Sequence, residues 1–147
     1  MSIGVLGAGA WGTALAIRLA GHGPVKLWTR SAEHALAMER ERENRRYLPG
    51  FSMPEGLVAS SDLAGVVADA DLLIAAVPSN GFRSLVVSLR QSGIARPLVW
   101  LCKGLETGTR KLPHAVLAEA WPEHPPAAVL SGPSFAKEVA QGLPAAL

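Results

Sequence analysis

Short runs of apolar residues alternate along the chain with longer stretches in which apolar positions recur at helical spacing. The runs have the length of buried strands, and glycine, proline or capping residues separate the two kinds of segment. This pattern predicts strands over 2–6, 25–29, 71–77, 97–102 and 127–131, with another beginning at 144–147. It predicts helices over 10–20, 31–44, 61–68, 79–91, 110–120 and 135–141, and an irregular stretch from 47 to about 57.

The regular alternation of strand and helix predicts a parallel sheet with helices on both faces, because parallel strands need crossover connections. Right-handed crossovers make this α/β chain a doubly wound, mostly parallel sheet. The 147 residues, 49% of them apolar, suffice for one domain with its own core. Because residues 144–147 resemble a strand that has only begun, we expect the chain to be part of a longer protein.

Composition excludes several classes of function. Fourteen Lys and Arg against 12 Asp and Glu leave a net charge of +2, too balanced for a nucleic-acid partner. The longest uncharged stretch, 1–17, falls short of the roughly 18 apolar residues of a membrane span. The single cysteine, Cys102, fits a reducing compartment and inert packing, so we expect a cytoplasmic protein. No metal site is expected, because the four histidines lack ligand spacing and are interpreted as surface residues: His22, His34, His114 and His124.

A glycine-rich turn, GAGAWG over residues 7–12, follows the first predicted strand and opens the first predicted helix. In this context Gly7 permits the tight turn, Gly9 lets a diphosphate approach the backbone, and Gly12 lets helix and strand pack closely. The amides of Ala10 and Trp11 at the helix start are the natural phosphate donors. A Rossmann-type dinucleotide site is therefore predicted, against the alternative of an ordinary strand-to-helix turn. No Gly-Lys-Ser/Thr occurs, which excludes a Walker A loop.

The end of the second predicted strand bears on the choice of dinucleotide. An NAD site usually has an acidic residue there to bind the ribose 2′-hydroxyl. This chain has Trp28-Thr29-Arg30, and its next acid is Glu33. Because the Arg30 guanidinium can pair with a 2′-phosphate, NADP is favoured over NAD. The alternative is an ordinary surface arginine at a helix start.

Four further motifs stand at or near predicted element ends: YLPG at 47–50, VPS at 77–79, KGLE at 103–106 and SGPSFA at 131–136. Together with the glycine turn, this set resembles the bacterial NAD(P)-dependent glycerol-3-phosphate dehydrogenases over essentially the whole chain. The resemblance is to the N-terminal cofactor-binding domain, so residues 1–147 are interpreted as one NAD(P)-binding Rossmann domain. In that family a helical catalytic domain follows, and we expect it to be absent from these 147 residues.

The resemblance assigns roles to matching residues. It implies that Tyr47 and Ala136 contact the cofactor, that Lys103 contacts both cofactor and substrate, and that Gly132 and Ser134 hold the substrate. Ala10 stands where the family often has serine, so a hydroxyl contact is lost and the backbone amide remains. Lys103, Ser79 and Ser134 each follow a predicted strand, where ligands bind in open α/β sheets. Taken alone, Lys103 could equally be a solvated loop lysine and Ser134 a plain helix cap.

The activity implied by the resemblance is hydride transfer that interconverts sn-glycerol 3-phosphate and dihydroxyacetone phosphate, feeding glycerophospholipid synthesis. In the family a lysine of the second domain transfers the proton, and no residue here matches it. Lys103 could assist electrostatically. We therefore expect this chain alone to bind the cofactor without turnover. The sequence does not decide whether the full-length protein forms a homodimer.

Two alternatives remain at this stage. One is another two-domain dehydrogenase, acting on a hydroxyacyl thioester or a sugar acid, which shares the glycine turn and VPS but does not predict the pairing of KGLE with SGPSFA. The other is a dinucleotide-sensing module without enzymatic activity.

Overall fold

The computed structural model describes residues 1–132 and 134–144. Strands and helices alternate along the described chain. The strands are β1 Ile3–Leu6, β2 Val25–Trp28, β3 Leu57–Ser60, β4 Leu72–Ala75, β5 Leu98–Trp100 and β6 Ala127–Val129. The helices are α1 Ala10–Leu19, α2 Ala32–Glu41, α3 Leu63–Asp69, α4 Ser79–Gln91, α5 Pro113–Ala120 and α6 Ala136–Gln141.

The six strands form one sheet in the order β3-β2-β1-β4-β5-β6, and every strand pair in it is parallel. This confirms the doubly wound α/β architecture, with the Rossmann strand order. The chain reverses its direction of growth between β1 and β4, which pair in register from Ile3 with Leu72 to Leu6 with Ala75. The carboxyl ends of β1 and β4 therefore border the crevice in which such sheets bind ligands.

Neighbouring strand residues point to opposite faces of the sheet, and each face has its own core. In β1, Val5 packs beneath α1 and α2 with Leu15, Leu27 and Met38. The next residue, Leu6, joins the core on the α3–α5 side, which includes Phe82, Trp100 and Leu117. Because both faces are covered, the central strands read as continuous apolar runs in the sequence.

The structure corrects the predicted elements in three places. The edge strand β3, Leu57–Ser60, begins where the predicted irregular stretch ends, and the sequence predicts no strand there; Leu57 and Ala59 are buried and Val58 is exposed. Helix α2 ends at Glu41, because Arg42 adopts a left-handed φ of 50°. Helix α5 begins at Pro113 and not at Arg110, whose φ is 57°. The strand predicted at 144–147 falls mostly outside the described residues.

None of the helices in the described ranges combines the length and apolar character needed to cross a membrane.

Candidate functional site

The glycine turn joins β1 to α1 with little space around two of its glycines. Gly7 has a φ of 125°, and a Cβ there would lie 2.6 Å from the carbonyl oxygen of Ala76. A Cβ on Gly12 would lie 2.0 Å from the carbonyl oxygen of Gly7. The turn therefore requires glycine at both positions, for backbone conformation and for helix-to-strand packing.

Gly9 differs, because a Cβ built on it meets no atom within 4 Å. Gly9 is the N-cap of α1, with extended backbone and no capping side chain. The first amides of a helix lack partners within it, and those after Gly9 begin α1 beside open space. This combination of open backbone and free helix-start amides fits a bound diphosphate.

A long cleft of about 1240 Å³ extends from the glycine turn past the carboxyl ends of β2 and β4. Its wall includes Gly7, Gly9, Arg30 and Tyr47, four of the residues predicted to bind the cofactor. None of its lining residues, all within the described chain, is an aspartate or glutamate. The cleft therefore suits an anionic ligand, and Arg30 lies at its β2 end, two residues after that strand.

The lysine cleft, about 360 Å³, lies on the other side of the turn and is lined by Ala10, Trp11, Gly12, Lys103, Gly132 and Ser134 among others. The two clefts share Gly9, Ala76, Val77 and Pro78, so they meet at the glycine turn. The structure thus gathers the predicted phosphate-binding and substrate-binding residues around one point of the sheet edge.

Polar contacts within the lysine cleft connect three segments distant in sequence. Lys103 Nζ donates to the carbonyl oxygen of Gly132 over 2.7 Å. Trp11 Nε1 donates to the carbonyl oxygen of Ser134 over 3.2 Å. The Ser134 hydroxyl is buried and has no hydrogen-bond partner among the described atoms. A buried polar atom without a partner is costly, so this hydroxyl is suited to a ligand group in the cleft.

The loop that carries Lys103 is anchored by an ion pair. Glu106 receives two hydrogen bonds from Arg83 of α4, both 2.8 Å long, and a third from Thr109. The Arg83 guanidinium, followed by the Thr109 hydroxyl, lowers the pKa of Glu106 to about 2. Glu106 of the KGLE motif therefore fixes the loop against α4, which restrains the backbone that presents Lys103.

Sequence reasoning missed a hydrogen-bond network behind the long cleft. Asn44, buried to 1% exposure, donates to the Ala8 carbonyl oxygen and to Thr13 Oγ1. Its Oδ1 lies 3.0 Å from Nε2 of His34. The interpretation of His34 as a surface residue is therefore wrong, since its ring is half-buried and hydrogen-bonded. The one sequence signal for this network is the asparagine that lies shortly before the YLPG motif.

The remaining candidates lie apart from this arrangement. Ala136 is the first residue of α6, which packs against α1, and it lines neither cleft. Cys102 is buried, and burial raises the pKa of its thiol to about 11. Because the reactive form of cysteine is the thiolate, this residue packs as an inert side chain. His22 and His114 are exposed, whereas His124 is half-buried and its ring contacts the Pro125 carbonyl oxygen. No group of three potential metal ligands occurs in the described residues.

Proteins that resemble this chain in sequence and in structure are glycerol-3-phosphate dehydrogenases. The glycerol-3-phosphate dehydrogenase (NAD(P)+) of Thiobacillus denitrificans is 47% identical over the whole of this chain, which covers 45% of that protein. The corresponding protein of Acidovorax ebreus is 50% identical over the whole chain, again covering 45% of the relative. The crystal structure of glycerol-3-phosphate dehydrogenase from Coxiella burnetii superposes with a TM-score of 0.89 at 40% identity, covering 97% of this chain and 44% of that one.

The chain thus spans somewhat less than half the length of the curated relatives it matches. A family model described as the N-terminus of NAD-dependent glycerol-3-phosphate dehydrogenase matches residues 2–147. With its glycine turn, its strand order and this match over nearly every residue, the chain belongs to the family of NAD-dependent glycerol-3-phosphate dehydrogenase N-terminal domains.

Proposed function

We propose that this domain binds NADP(H) in preference to NAD(H), and that it serves the interconversion of sn-glycerol 3-phosphate and dihydroxyacetone phosphate. The observation that carries the proposal is the meeting of the two clefts at Gly9, between β1 and β4. A dinucleotide has a diphosphate in the middle and a different group at each end. A cleft on either side of one phosphate-binding turn suits that shape.

The residues of the long cleft would hold the adenosine half. The amides of Ala10 and Trp11 face the diphosphate, and the open Gly9 backbone allows its approach. Arg30 follows β2, where a guanidinium can pair with a 2′-phosphate and no carboxylate lines the cleft to bind a 2′-hydroxyl. Tyr47 contributes an aromatic face to the same wall. Ala136 is kept as a cofactor contact only as the family resemblance implies.

The lysine cleft would hold the substrate beside the nicotinamide. When bound, the cofactor supplies or accepts a hydride at C2 of the three-carbon phosphate. Lys103 presents a positive charge to the substrate phosphate or to the oxygen that gains negative charge as the hydride arrives. Gly132 and the unpartnered hydroxyl of Ser134 would orient the substrate. Lys103 is proposed as an electrostatic assistant, with proton transfer assigned to a lysine of the helical domain of the full-length enzyme.

The wider setting is part of the same proposal. It includes a role in supplying glycerol 3-phosphate for phospholipid synthesis, as the family resemblance implies, and homodimerisation of the full-length protein stays a prediction. The one cysteine, free and buried in the described structure, is compatible with a reducing cytoplasm.

Cofactor binding is tested by thermal unfolding of the protein with NADPH, NADH and glycerol 3-phosphate. At a hundredfold excess over Kd, NADPH should raise the Tm by about 5–10 °C, with a smaller rise for NADH at equal concentration. Glycerol 3-phosphate should add a further rise only when the dinucleotide is present. Lys103→Ala should abolish that addition, and Lys26→Ala, a control on β2 that lines neither cleft, should keep it. Failure of both dinucleotides to raise the Tm would overturn the proposal.

The substrate is tested by following NADPH oxidation by the full-length protein. Dihydroxyacetone phosphate should be reduced far faster than a 3-oxoacyl thioester or an oxidised sugar acid. A preference for either of those compounds would favour a different dehydrogenase, and binding of NADPH without turnover of any of them would favour a sensing module.

A further inference from the structure

The segment 39–46, ERERENRR, carries charges of both signs, and its arginines differ in their partners. Arg40 pairs with Glu41, and Arg45 pairs with Glu41 and Glu43. Arg42 pairs with Glu39 and donates to the carbonyl oxygens of Pro54 and Leu57. In the described chain, Arg46 is the one arginine of this segment without a carboxylate partner.

Arg46 faces the long cleft, and its position is set by an aromatic ring. Its guanidinium carbon lies 5.2 Å from the centroid of the Tyr47 ring, within the range of a cation–π contact. The Tyr47 ring meets the His34 ring edge-on at 5.5 Å between centroids. Nδ1 of His34 lies 3.3 Å from Oγ1 of Thr29, the residue before Arg30. Arg46 and Arg30 both line the long cleft, and the contacts of Tyr47, His34 and Thr29 connect the segments that carry them.

Two arginines line this cleft, and none of its lining residues in the described chain is acidic, so the cleft attracts an anionic ligand. A phosphate monoester carries close to two negative charges near neutral pH and presents three acceptor oxygens, which suits two guanidinium groups. On the proposed function, the dinucleotide's diphosphate occupies the glycine turn. The anion left for this wall is the phosphate on the adenosine ribose.

We propose that Arg46 is a second specificity-determining residue for NADP(H), acting with Arg30 on the 2′-phosphate while Tyr47 holds its guanidinium in place. This inference rests on the proposed function, because it takes the long cleft as the adenosine site. It adds a residue that neither the glycine turn nor the end of β2 indicates.

The test compares Arg46→Ala with Arg45→Ala, its neighbour, which pairs with Glu41 and Glu43 and lines neither cleft. Calorimetry measures the Kd of NADPH, NADH, 2′-AMP and 5′-AMP for each protein. Arg46→Ala should weaken NADPH and 2′-AMP by about five- to twentyfold, an exposed charge-assisted contact being worth less than a buried one. NADH and 5′-AMP should change by less than about twofold, and Arg45→Ala should leave all four within that range.

Arg46→Lys, which keeps the charge and loses the planar fork, should recover part of the NADPH affinity. Equal losses for NADPH and NADH in Arg46→Ala, or no loss for either, would overturn the inference while leaving the proposed function standing. Failure of the unaltered protein to bind either dinucleotide would instead overturn the proposed function. Arg46→Ala and Arg45→Ala should both keep the Tm of the unaltered protein, because the side chains of Arg45 and Arg46 are exposed.

Discussion

The side-chain amide of Asn44 donates to the backbone carbonyl of Ala8 over 3.0 Å, which ties the loop after α2 to the glycine turn. The same amide nitrogen donates to Thr13 Oγ1 over 2.8 Å, and Oδ1 accepts from the Tyr47 backbone amide over 3.3 Å. One buried side chain therefore holds together the phosphate-binding turn and the Tyr47 segment of the long cleft.

Replacing Asn44 with alanine should lower the free energy of unfolding by about 2–4 kcal/mol, because the Ala8 carbonyl and the Thr13 hydroxyl lose a buried partner. Urea denaturation measures the change. Asn80→Ala is the matched control, since among the described residues that exposed side chain is hydrogen-bonded to Thr107 alone and its loss should cost less than about 1 kcal/mol. Equal losses in the free energy of unfolding for the two variants would show that the buried Asn44 network stabilises the fold no more than an exposed hydrogen bond does.

The glycine turn gives a prediction that separates folding from binding. Gly9→Ala meets open space, so the free energy of unfolding should stay within about 1 kcal/mol of the unaltered protein. The added methyl group would project toward the diphosphate, so NADPH and NADH should both bind at least about tenfold more weakly. Gly12→Ala, which forces a Cβ against the Gly7 carbonyl, should instead destabilise the fold by about 3 kcal/mol or more. Undiminished dinucleotide binding by Gly9→Ala would contradict this account of the turn.

Glu106 makes the stability of the folded protein depend on pH. Its pKa is about 2 in the folded protein, below the ordinary value of 4.5, chiefly because of Arg83. A lowered folded pKa stabilises the protein fully above pH 4.5, and this contribution is lost as the pH falls from about 4.5 toward 2. Glu106→Gln should therefore show a smaller drop in the urea midpoint between pH 6 and pH 3 than the unaltered protein. An unchanged drop would assign the acid sensitivity to other carboxyl groups, such as Asp71 or Glu119, whose pKa values are also lowered.

The sequence predicts those parts of the fold that local patterns determine. Buried central strands such as β1 and β4 appear as continuous apolar runs, and a glycine turn between strand and helix has a recognisable spacing. Strand β3 is not indicated by the sequence because it lies at the sheet edge, where Val58 is exposed between two buried residues and no continuous apolar run forms. The end of α2 was misplaced because Arg42, a good helix former, turns left-handed to pair with Glu39 and cap the Pro54 and Leu57 carbonyls.

The candidate site was predicted in part for the same reason. Residues in the glycine turn and Arg30 after β2 are indicated by local context, whereas the role of Lys103 is indicated by the family resemblance. Asn44 and Arg46 are not indicated, because their significance arises from contacts across the fold. Asn44 meets Ala8, which is 36 positions away in sequence, and Arg46 lines the same cleft as Arg30, from which it is separated by 16 positions in sequence. Such contacts depend on tertiary packing that residue spacing does not reveal.

The central claim is that the start of α1 holds the diphosphate of a dinucleotide, and the most direct measurement is a crystal structure of the protein soaked with NADPH. The account predicts diphosphate oxygens within hydrogen-bond distance, about 2.7–3.2 Å, of the backbone nitrogens of Ala10 and Trp11. A nucleotide bound elsewhere, with the turn at Gly9 empty or filled by a side chain, would contradict it.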